Sequence, residues 1–372
     1  MTKLKPAKRL ESQFEYTKLQ TLITSEPELK KLNKARLKLL CYLITSLIKV
    51  QKVGFRHLSE GYDSGATVTS NMRRIQRFFA KFEFPEEGFS RLIIRMIPVK
   101  GKYRIAIDRT NWKFGKRNIN LLFLCVVYKG VGIPLIWKVL GDKKGNSSTA
   151  ERKGLLGKFI EWFGADMIER ITADREFIGE EWWEFLLEHG IPFYIRIKEN
   201  ALIGLHGGRF VNARRLFAPH KLKVAYFHPT SVTITKVKVY VSGMKYIENG
   251  KLEYLILASP KNTRESLEIY RERWQIETMF RGFKSAGFNL EDTHLQDYER
   301  INKLLCVIAI AFIWSYNIGI FKHEEEEPIK IKKHGRRAKS FFSYGLEEIA
   351  HALINKVETK IERLSGLFLS CT

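Results

Sequence analysis

Cysteine is scarce and scattered in this chain. The four cysteines in 372 residues, Cys41, Cys125, Cys306 and Cys371, lie far apart and form no C-x-x-C pair, so neither a zinc site nor a disulfide framework is indicated. A reducing compartment is the simplest setting. Also missing is an apolar stretch behind the basic, polar N-terminus Met1–Leu10, so no secretory signal is expected. Acidic residues are in deficit: 40 Asp+Glu stand against 64 Lys+Arg, a formal net charge of +24. An excess of that size points to a polyanionic partner, either nucleic acid or an acidic membrane surface.

Long uncharged runs are nearly absent. The exception, Leu304 to Phe321, is long enough for a membrane span, but it contains Ser315, Tyr316, Asn317 and Gly319 and stands alone in a charge-rich chain. It reads as a buried core helix, and no membrane partner is expected. With 45% hydrophobic residues the chain has apolar material for a large core or two to three modules, which excludes a disordered or fibrous protein. The positive charge is unevenly spread. Residues 1 to 100 hold 20 basic and 9 acidic residues, and residues 200 to 262 hold 10 and 2, so these segments carry +11 and +8 of the +24.

Residues 1–98 read as helical. Leu37, Leu40, Ile44, Leu47 and Ile48 recur at helical spacing among lysines, and a second helix is expected over Thr67 to Phe82, capped by Thr69 or Ser70 and decorated by Arg73, Arg74 and Arg77. These arginines are either a solvated face or phosphate contacts, and the imbalance of the whole segment favours the second. From Tyr103 the texture changes to short apolar runs. Tyr103–Asp108, Ile119–Tyr128 and Ile133–Val139 read as strands joined at Lys116–Asn118 and Gly130–Gly132. A helix capped by Ser147, Ser148 or Thr149 follows, then strand Ile168–Asp174, helix Glu180–His189 and strand Ile191–Ile197. Three strands followed by alternating helix and strand imply an α/β fold: a mixed sheet flanked by helices. Residues 200–262 alternate with period two, as in Val232–Val241, and read as a basic all-β insert without helix. Helical periodicity resumes at Thr263. Beyond the charge-switching linker from residue 323, Leu346 to Leu364 marks one long amphipathic C-terminal helix available for dimerisation.

Three carboxylates stand out by position. Asp108 ends the first strand in Ile-Asp-Arg-Thr, and Asp174 ends the fourth in Ala-Asp-Arg-Glu-Phe. Singly, each is an ordinary turn former or cap. Together, on strands that can be neighbours, they can hold hard divalent cations. The third comes from the run Tyr270 to Lys284, where Tyr270, Arg273, Glu277, Arg281 and Lys284 fall on one helical stripe about 80° wide. The stripe is either a surface ion-pair ladder or an acid that binds a metal, flanked by groups that grip phosphates.

Tyr270, Arg273, Glu277 and Lys284 spell Y-x2-R-x3-E-x6-K. With Asp108 and Asp174 in order before them, the chain from about residue 30 resembles the bacterial insertion-sequence transposases of that signature, which have an RNase H-like DDE catalytic domain. His334-Gly-Arg-Arg337-Ala-Lys339 also resembles the family's C-terminal region. The resemblance implies a catalytic core over residues 99–199 and 263–322, interrupted by the β insert, behind a helical DNA-binding domain. It implies that Asp108, Asp174 and Glu277 are the metal-binding triad for two Mg²⁺ ions, replaceable by Mn²⁺. Tyr270, Arg273, Arg281 and Lys284 would then contact DNA phosphates. The implied activity is cut-and-paste transposition: binding of terminal inverted repeats, cleavage of the ends, and joining of their 3′-hydroxyls to target DNA. The implied assembly is a homodimer on double-stranded DNA in the cytoplasm, at the nucleoid. Two other functions remain open from the residues themselves: an RNase H-like nuclease without strand transfer, and a non-catalytic DNA-binding protein. Relatives that release their ends through a DNA hairpin place a Trp in the insert, whereas this chain has none between Trp183 and Trp274. Tyr226, Phe227, Tyr240 or Tyr246 offer substitute aromatic faces, and Trp274 is expected to pack.

Overall fold

The computed structural model describes residues 17–62, 64–333 and 335–370, with side chains to residue 367. The N-terminal tail Met1–Leu10, His334 and Cys371 lie outside the described residues. In chain order the helices α1 (residues 17–24), α2 (Lys34–Val50), α3 (Phe55–Glu60), α4 (Val68–Lys81) and α5 (Glu86–Met96) precede β1 (Tyr103–Phe114), β2 (Arg117–Tyr128) and β3 (Val131–Val139). There follow α6 (Thr149–Phe163), β4 (Ile168–Ala173), α7 (Glu180–Glu188), β5 (Phe193–Ile197), β6 (Leu202–Gly204), β7 (Phe210–Asn212) and α8 (Arg214–Phe217). The remainder comprises β8 (Tyr226–Phe227), β9 (Val232–Ile234), β10 (Val237–Glu248), β11 (Lys251–Ser259), α9 (Ser266–Arg271), α10 (Trp274–Phe283), α11 (Tyr298–Phe321), α12 (Phe341–Asn355) and α13 (Glu358–Ser370).

The chain divides into two compact units. One comprises Val99–Asn111 and Asn118–Met279; the other comprises the described residues up to Pro98, Trp112–Arg117 and the chain from Phe280 onward. The first unit is built on an 11-stranded mixed sheet in the order β3-β2-β1-β4-β5-β11-β10-β9-β6-β7, with β8 paired to β10. β2 and β3 are antiparallel and joined by a two-residue turn, Lys129–Gly130. Both turn residues have positive φ (41° and 93°), as a tight hairpin turn requires. The turn lies one residue earlier than the glycine pair suggests, because Gly132 serves another purpose described below. β4 runs parallel to β1, with Ile105 opposite Ile171 and Ile107 opposite Ala173, and β5 runs parallel to β4. Parallel neighbours need crossovers, which α6 and α7 supply. Ser148 caps α6 in a reciprocal capping box with Glu151. The strands of residues 200–262 do not stand apart, since β11 pairs antiparallel with β5 and continues the same sheet. The segment also contains a helix, α8, where the sequence offers only alternation: four residues are too few to show a helical period.

In the other unit α11 is the central element, packed by α2, α4, α5 and α12. It is long and apolar enough to cross a membrane, yet 89% of its most apolar window is buried inside the protein. Two glycines bring α11 and α12 into backbone contact. A Cβ on Gly319 would sit 1.8 Å from the Phe341 carbonyl oxygen, and one on Gly345 would sit 1.8 Å from that of Ser315. α2 is capped by the Asn33 side chain, and α4 by Thr67 rather than by Thr69 or Ser70. The single C-terminal helix expected from Leu346 to Leu364 is instead α12 and α13. Lys356 adopts the left-handed conformation (φ 52°) and ends α12 while its N–H still bonds the Ala352 carbonyl. The apolar period continues across this break, so periodicity alone does not reveal it.

Candidate active site

Asp108 and Asp174 are brought side by side by the parallel register of β1 and β4, since each follows a directly paired residue, Ile107 and Ala173. Asp108 does not end its strand: β1 continues to Phe114. Its Oδ1 accepts the Arg109 backbone N–H at 2.7 Å. Asp174 leads into the 3-10 turn Arg175–Phe177, and its side chain caps nothing there; Oδ1 instead accepts the Tyr270 hydroxyl at 3.3 Å. The Tyr270 ring is buried against Leu257 and Leu267.

Arg109, the arginine after Asp108, is set apart by its contacts. Arg109 pairs with Glu176 at 3.0 Å and donates to Asn120 Oδ1 at 3.1 Å, tying β1 and β2 to the turn after β4. Arg152 of α6 holds that turn from the other side, donating to the carbonyls of Ser147 (2.6 Å) and Glu176 (2.7 Å) and covering the Phe177 ring. Glu176 and Arg152 were not singled out by the sequence. The only signal for Glu176 is its place in Asp-Arg-Glu-Phe.

The expected single stripe from Tyr270 to Lys284 is broken. α9 ends at Arg271 and α10 begins at Trp274, and the N–H groups of Glu272, Arg273, Gln275 and Ile276 each bond the carbonyl three residues back. Two pulls account for the break. Glu272 turns toward the strands, where Arg104 (3.0 Å) and Arg170 (2.8 Å) bind its carboxylate. Arg273 reaches a different point of the same strand, Asp108 Oδ2 at 2.7 Å, and Glu277 Oε1 at 2.7 Å. The start of α10 lies close on β3. A Cβ at Gly132 would be 2.9 Å from Ile276 Cα, and the Gly130 N–H donates to the Gln275 side chain at 2.9 Å. Glycine at 132 therefore permits the approach that presents Glu277.

One guanidinium thus joins the first aspartate to the glutamate, and Tyr270 joins the same run to the second aspartate. Arg273 is 7% exposed. Burial opposes its charge, but Tyr270, Asp108, Asp174 and Glu277 outweigh burial and hold its pKa above the ordinary value. Burial pushes the Asp108 carboxyl up to about 6 against the pull of Arg273, with Glu176 and Asp174 adding to the rise. Burial also raises the Tyr270 phenol. The Arg273 Nε is buried without a hydrogen-bond partner among the described residues.

Among the described residues no group of three or more His, Cys, Asp and Glu converges closely enough to hold a metal ion. The donors nevertheless suit a hard divalent cation in kind: all are carboxylate oxygens, and a cationic guanidinium stands between two of them.

Trp274, expected to pack, is 61% exposed. The break before it turns its indole away from the buried side where Ile276 and Met279 lie. The half-buried Tyr226 stacks on His220, with ring centroids 3.7 Å apart, and Phe227, Tyr240 and Tyr246 are likewise half-buried. In the other unit, Arg281 is exposed and makes no ion pair among the described residues, so the expected ladder stops at Glu277. Lys284 lies beyond the end of α10 and is paired with Glu291 at 2.7 Å. Arg73 and Arg77 are exposed on α4, whereas Arg74 lies over the Tyr62 ring, 5.7 Å from its centroid.

Comparison with known proteins places this geometry in context. The family model of the transposase DDE domain matches residues 99–314. A solved structure, the cryo-EM synaptic complex of piggyBac transposase with hairpin DNA, is similar with a TM-score of 0.42 and 12% identity, over 94% of this chain and 78% of that one. No curated protein matches the chain.

Proposed function

The chain belongs to the transposase DDE domain family, and on that premise we propose that Asp108, Asp174 and Glu277 are the catalytic triad of a DNA transposase. The observation that carries the assignment is the Arg273 guanidinium, which binds Asp108 and Glu277 at 2.7 Å each while Tyr270 holds Asp174. Surface ion-pair residues do not converge in this way from two neighbouring strands and a helix.

On this reading the first unit is an RNase H-like core, and the three carboxylates hold two Mg²⁺ ions, with Mn²⁺ able to substitute. The ions would supply activation of water or a DNA 3′-hydroxyl and neutralisation of charge at phosphorus. The protein's own groups do the rest. Arg109, Glu176 and Arg152 fix the two aspartates relative to each other. Tyr270 orients Asp174, and Arg273, bonded to Asp108 and Glu277, would set a cation beside the DNA phosphate. Asp108, raised to about 6, is ionised at neutral pH and ready to bind a cation. Arg281, Lys284, Arg73, Arg74 and Arg77 would hold the DNA backbone, together with the basic segment 200–262.

The finer reading is of the insertion-sequence group carrying Y-x2-R-x3-E-x6-K. The protein would act in the bacterial cytoplasm, at the nucleoid. It would cut the terminal inverted repeats of its element and join the freed 3′-hydroxyls to target DNA as a homodimer. Purified protein with Mg²⁺ should cleave DNA carrying the repeats that flank its gene and join the ends to a plasmid. Asp108→Asn and Glu277→Gln should bind the same DNA without cutting it. Undiminished cleavage by both variants would remove the triad assignment, and cleavage without joining would make the protein a nuclease.

A further inference from the structure

A cleft of about 1050 Å³ opens in the unit that contains α4 and α11. One wall is the exposed side of α4, where Thr69, Arg73, Gln76, Arg77 and Ala80 follow one another at helical spacing. The facing wall is the segment Thr293–Leu295 with Arg300 from the first turn of α11. Arg56, from α3, completes the lining. The facing wall is anchored: Arg117 donates to the Gln296 carbonyl at 3.2 Å, and Phe114 meets the His294 ring edge-on at 5.2 Å.

The lining holds four arginines and a histidine and no acidic residue. Arg73, Arg77 and Arg300 have no ion-pair partner among the described residues, and Arg56 has only the long contact to Glu60 at 3.4 Å. Thr67, Thr69 and Ser70 add hydroxyls where the first-turn amides of α4 lie. A smaller hollow of about 370 Å³ lined by Lys52, His57 and His294 also contains Glu291 and Asp292, so the uniform sign belongs to the larger cleft. Like charges gathered at both walls, without counter-charges, need an anion with charges spread along its length.

We infer that this cleft seats the sugar-phosphate backbone of one strand of duplex DNA, held between α4 and the Thr293–Arg300 segment. The inference rests on the transposase reading for its choice of polyanion, and it deepens that reading in two ways. It moves Arg300, His294 and Arg56 into the DNA-contacting set, and it seats the phosphates held by Arg73 and Arg77 in a cleft with a second basic wall.

Salt dependence tests it. Removing one phosphate-binding cation should shrink the fall in affinity between 50 and 200 mM salt by about 3.5-fold. Arg73→Ala/Arg77→Ala should therefore cut that fall about 12-fold, and adding Arg300→Ala about 40-fold, measured by fluorescence anisotropy on cognate and unrelated duplexes alike. Arg73→Lys/Arg77→Lys should restore the slope, because a point charge suffices for a phosphate whereas a bidentate base contact needs the guanidinium fork. Circular dichroism checks that these substitutions leave the fold intact. An unchanged slope in the triple variant would overturn the inference. So would a loss confined to the cognate duplex and not rescued by lysine, because that is the mark of base reading. Asp108→Asn, run in parallel, separates the two claims: if it still cuts DNA the triad assignment falls while the slope result keeps its meaning.

Discussion

Replacing Arg273 by Gln should destabilise the metal-free protein and at the same time sharpen its response to divalent cations. Arg273 bonds Asp108 and Glu277 at 2.7 Å each, with side-chain exposures of 9% for the arginine, 16% for Asp108 and 36% for Glu277. The Glu277 pair is solvent-screened and one helical turn apart, so it contributes only about 0.3–0.5 kcal/mol. The Asp108 pair is different. Removing one member of a buried pair typically costs about 3–5 kcal/mol, because the other charge stays behind without compensation. Here Asp174 lies near enough to disfavour the Asp108 charge further.

Asp108 has an escape that reduces this loss, which is to take up a proton. Its pKa already stands at about 6 against an ordinary 3.8, with burial as the chief cause and Arg273 pulling it down. A raised carboxylate pKa means that the folded state binds the proton more tightly than the unfolded state. The contribution to stability is then full below the unfolded value and is lost as pH rises through the folded value. Without Arg273 the folded value climbs further and the loss extends to higher pH. The deficit of Arg273→Gln should therefore be small near pH 5 and grow to about 3 kcal/mol by pH 8, read by urea unfolding in EDTA. The same substitution removes the cation that competes with Mg²⁺ for these oxygens. If that tightens Mg²⁺ tenfold, saturating Mg²⁺ should stabilise the variant by about 1.4 kcal/mol more than the parent. Equal stability of the two proteins in EDTA across this pH range, with equal gains from Mg²⁺, would refute the view that Arg273 serves as the site's internal counter-ion.

Two further substitutions test other parts of the structure. Gly319→Ala or Gly345→Ala would place a Cβ 1.8 Å from a backbone carbonyl oxygen, so α11 and α12 must move apart. Each should lose at least the about 1–3 kcal/mol typical of overpacking, and a melting temperature within 1 °C or so of the parent would show that the helices do not meet there. Trp274→Ala removes a 61% exposed indole and should change stability by no more than about 0.5 kcal/mol. A larger loss in thermal melts would mean that Trp274 is packed, as its sequence suggests.

Much of the sheet-bearing unit was legible in the sequence because its strands sit in a sheet covered by helices and read as short apolar runs between turn residues. The pairing of β1 with β4 was not legible. It depends on the β2–β3 hairpin folding to one side and on α6 carrying the chain back across the sheet, and only then do Asp108 and Asp174 become neighbours. The junction of β5 with β11 was hidden for a related reason. The strands of residues 200–262 alternate as a free-standing antiparallel module would, and nothing local marks the edge by which β11 joins the larger sheet. In the other unit the burial of α11 was legible from its composition, but the α12–α13 break was not, because a left-handed lysine carries no signature comparable to glycine.

The site shows where a regular helical reading gives way. A continuous helix would place Tyr270, Arg273, Glu277, Arg281 and Lys284 on one face, and the residues alone support that picture. It fails because Glu272 and Arg273, adjacent in sequence, are drawn to separate points on the sheet: Arg104 and Arg170 for one, and Asp108, four residues further along β1, for the other. Adjacent residues on a helix differ by about 100°, so one helix could satisfy both pulls only if those partners stood at that angle around it. They are carried on β1 and β4, strands whose positions are fixed by the sheet, so the helix yields and divides at Glu272–Arg273. The division also explains Trp274: it begins a new helix, and its direction is set by where α10 rests on Gly132 rather than by its spacing from Tyr270. A signature written at helical intervals can therefore describe residues gathered by a broken helix, provided the break itself is held by charges on a rigid sheet.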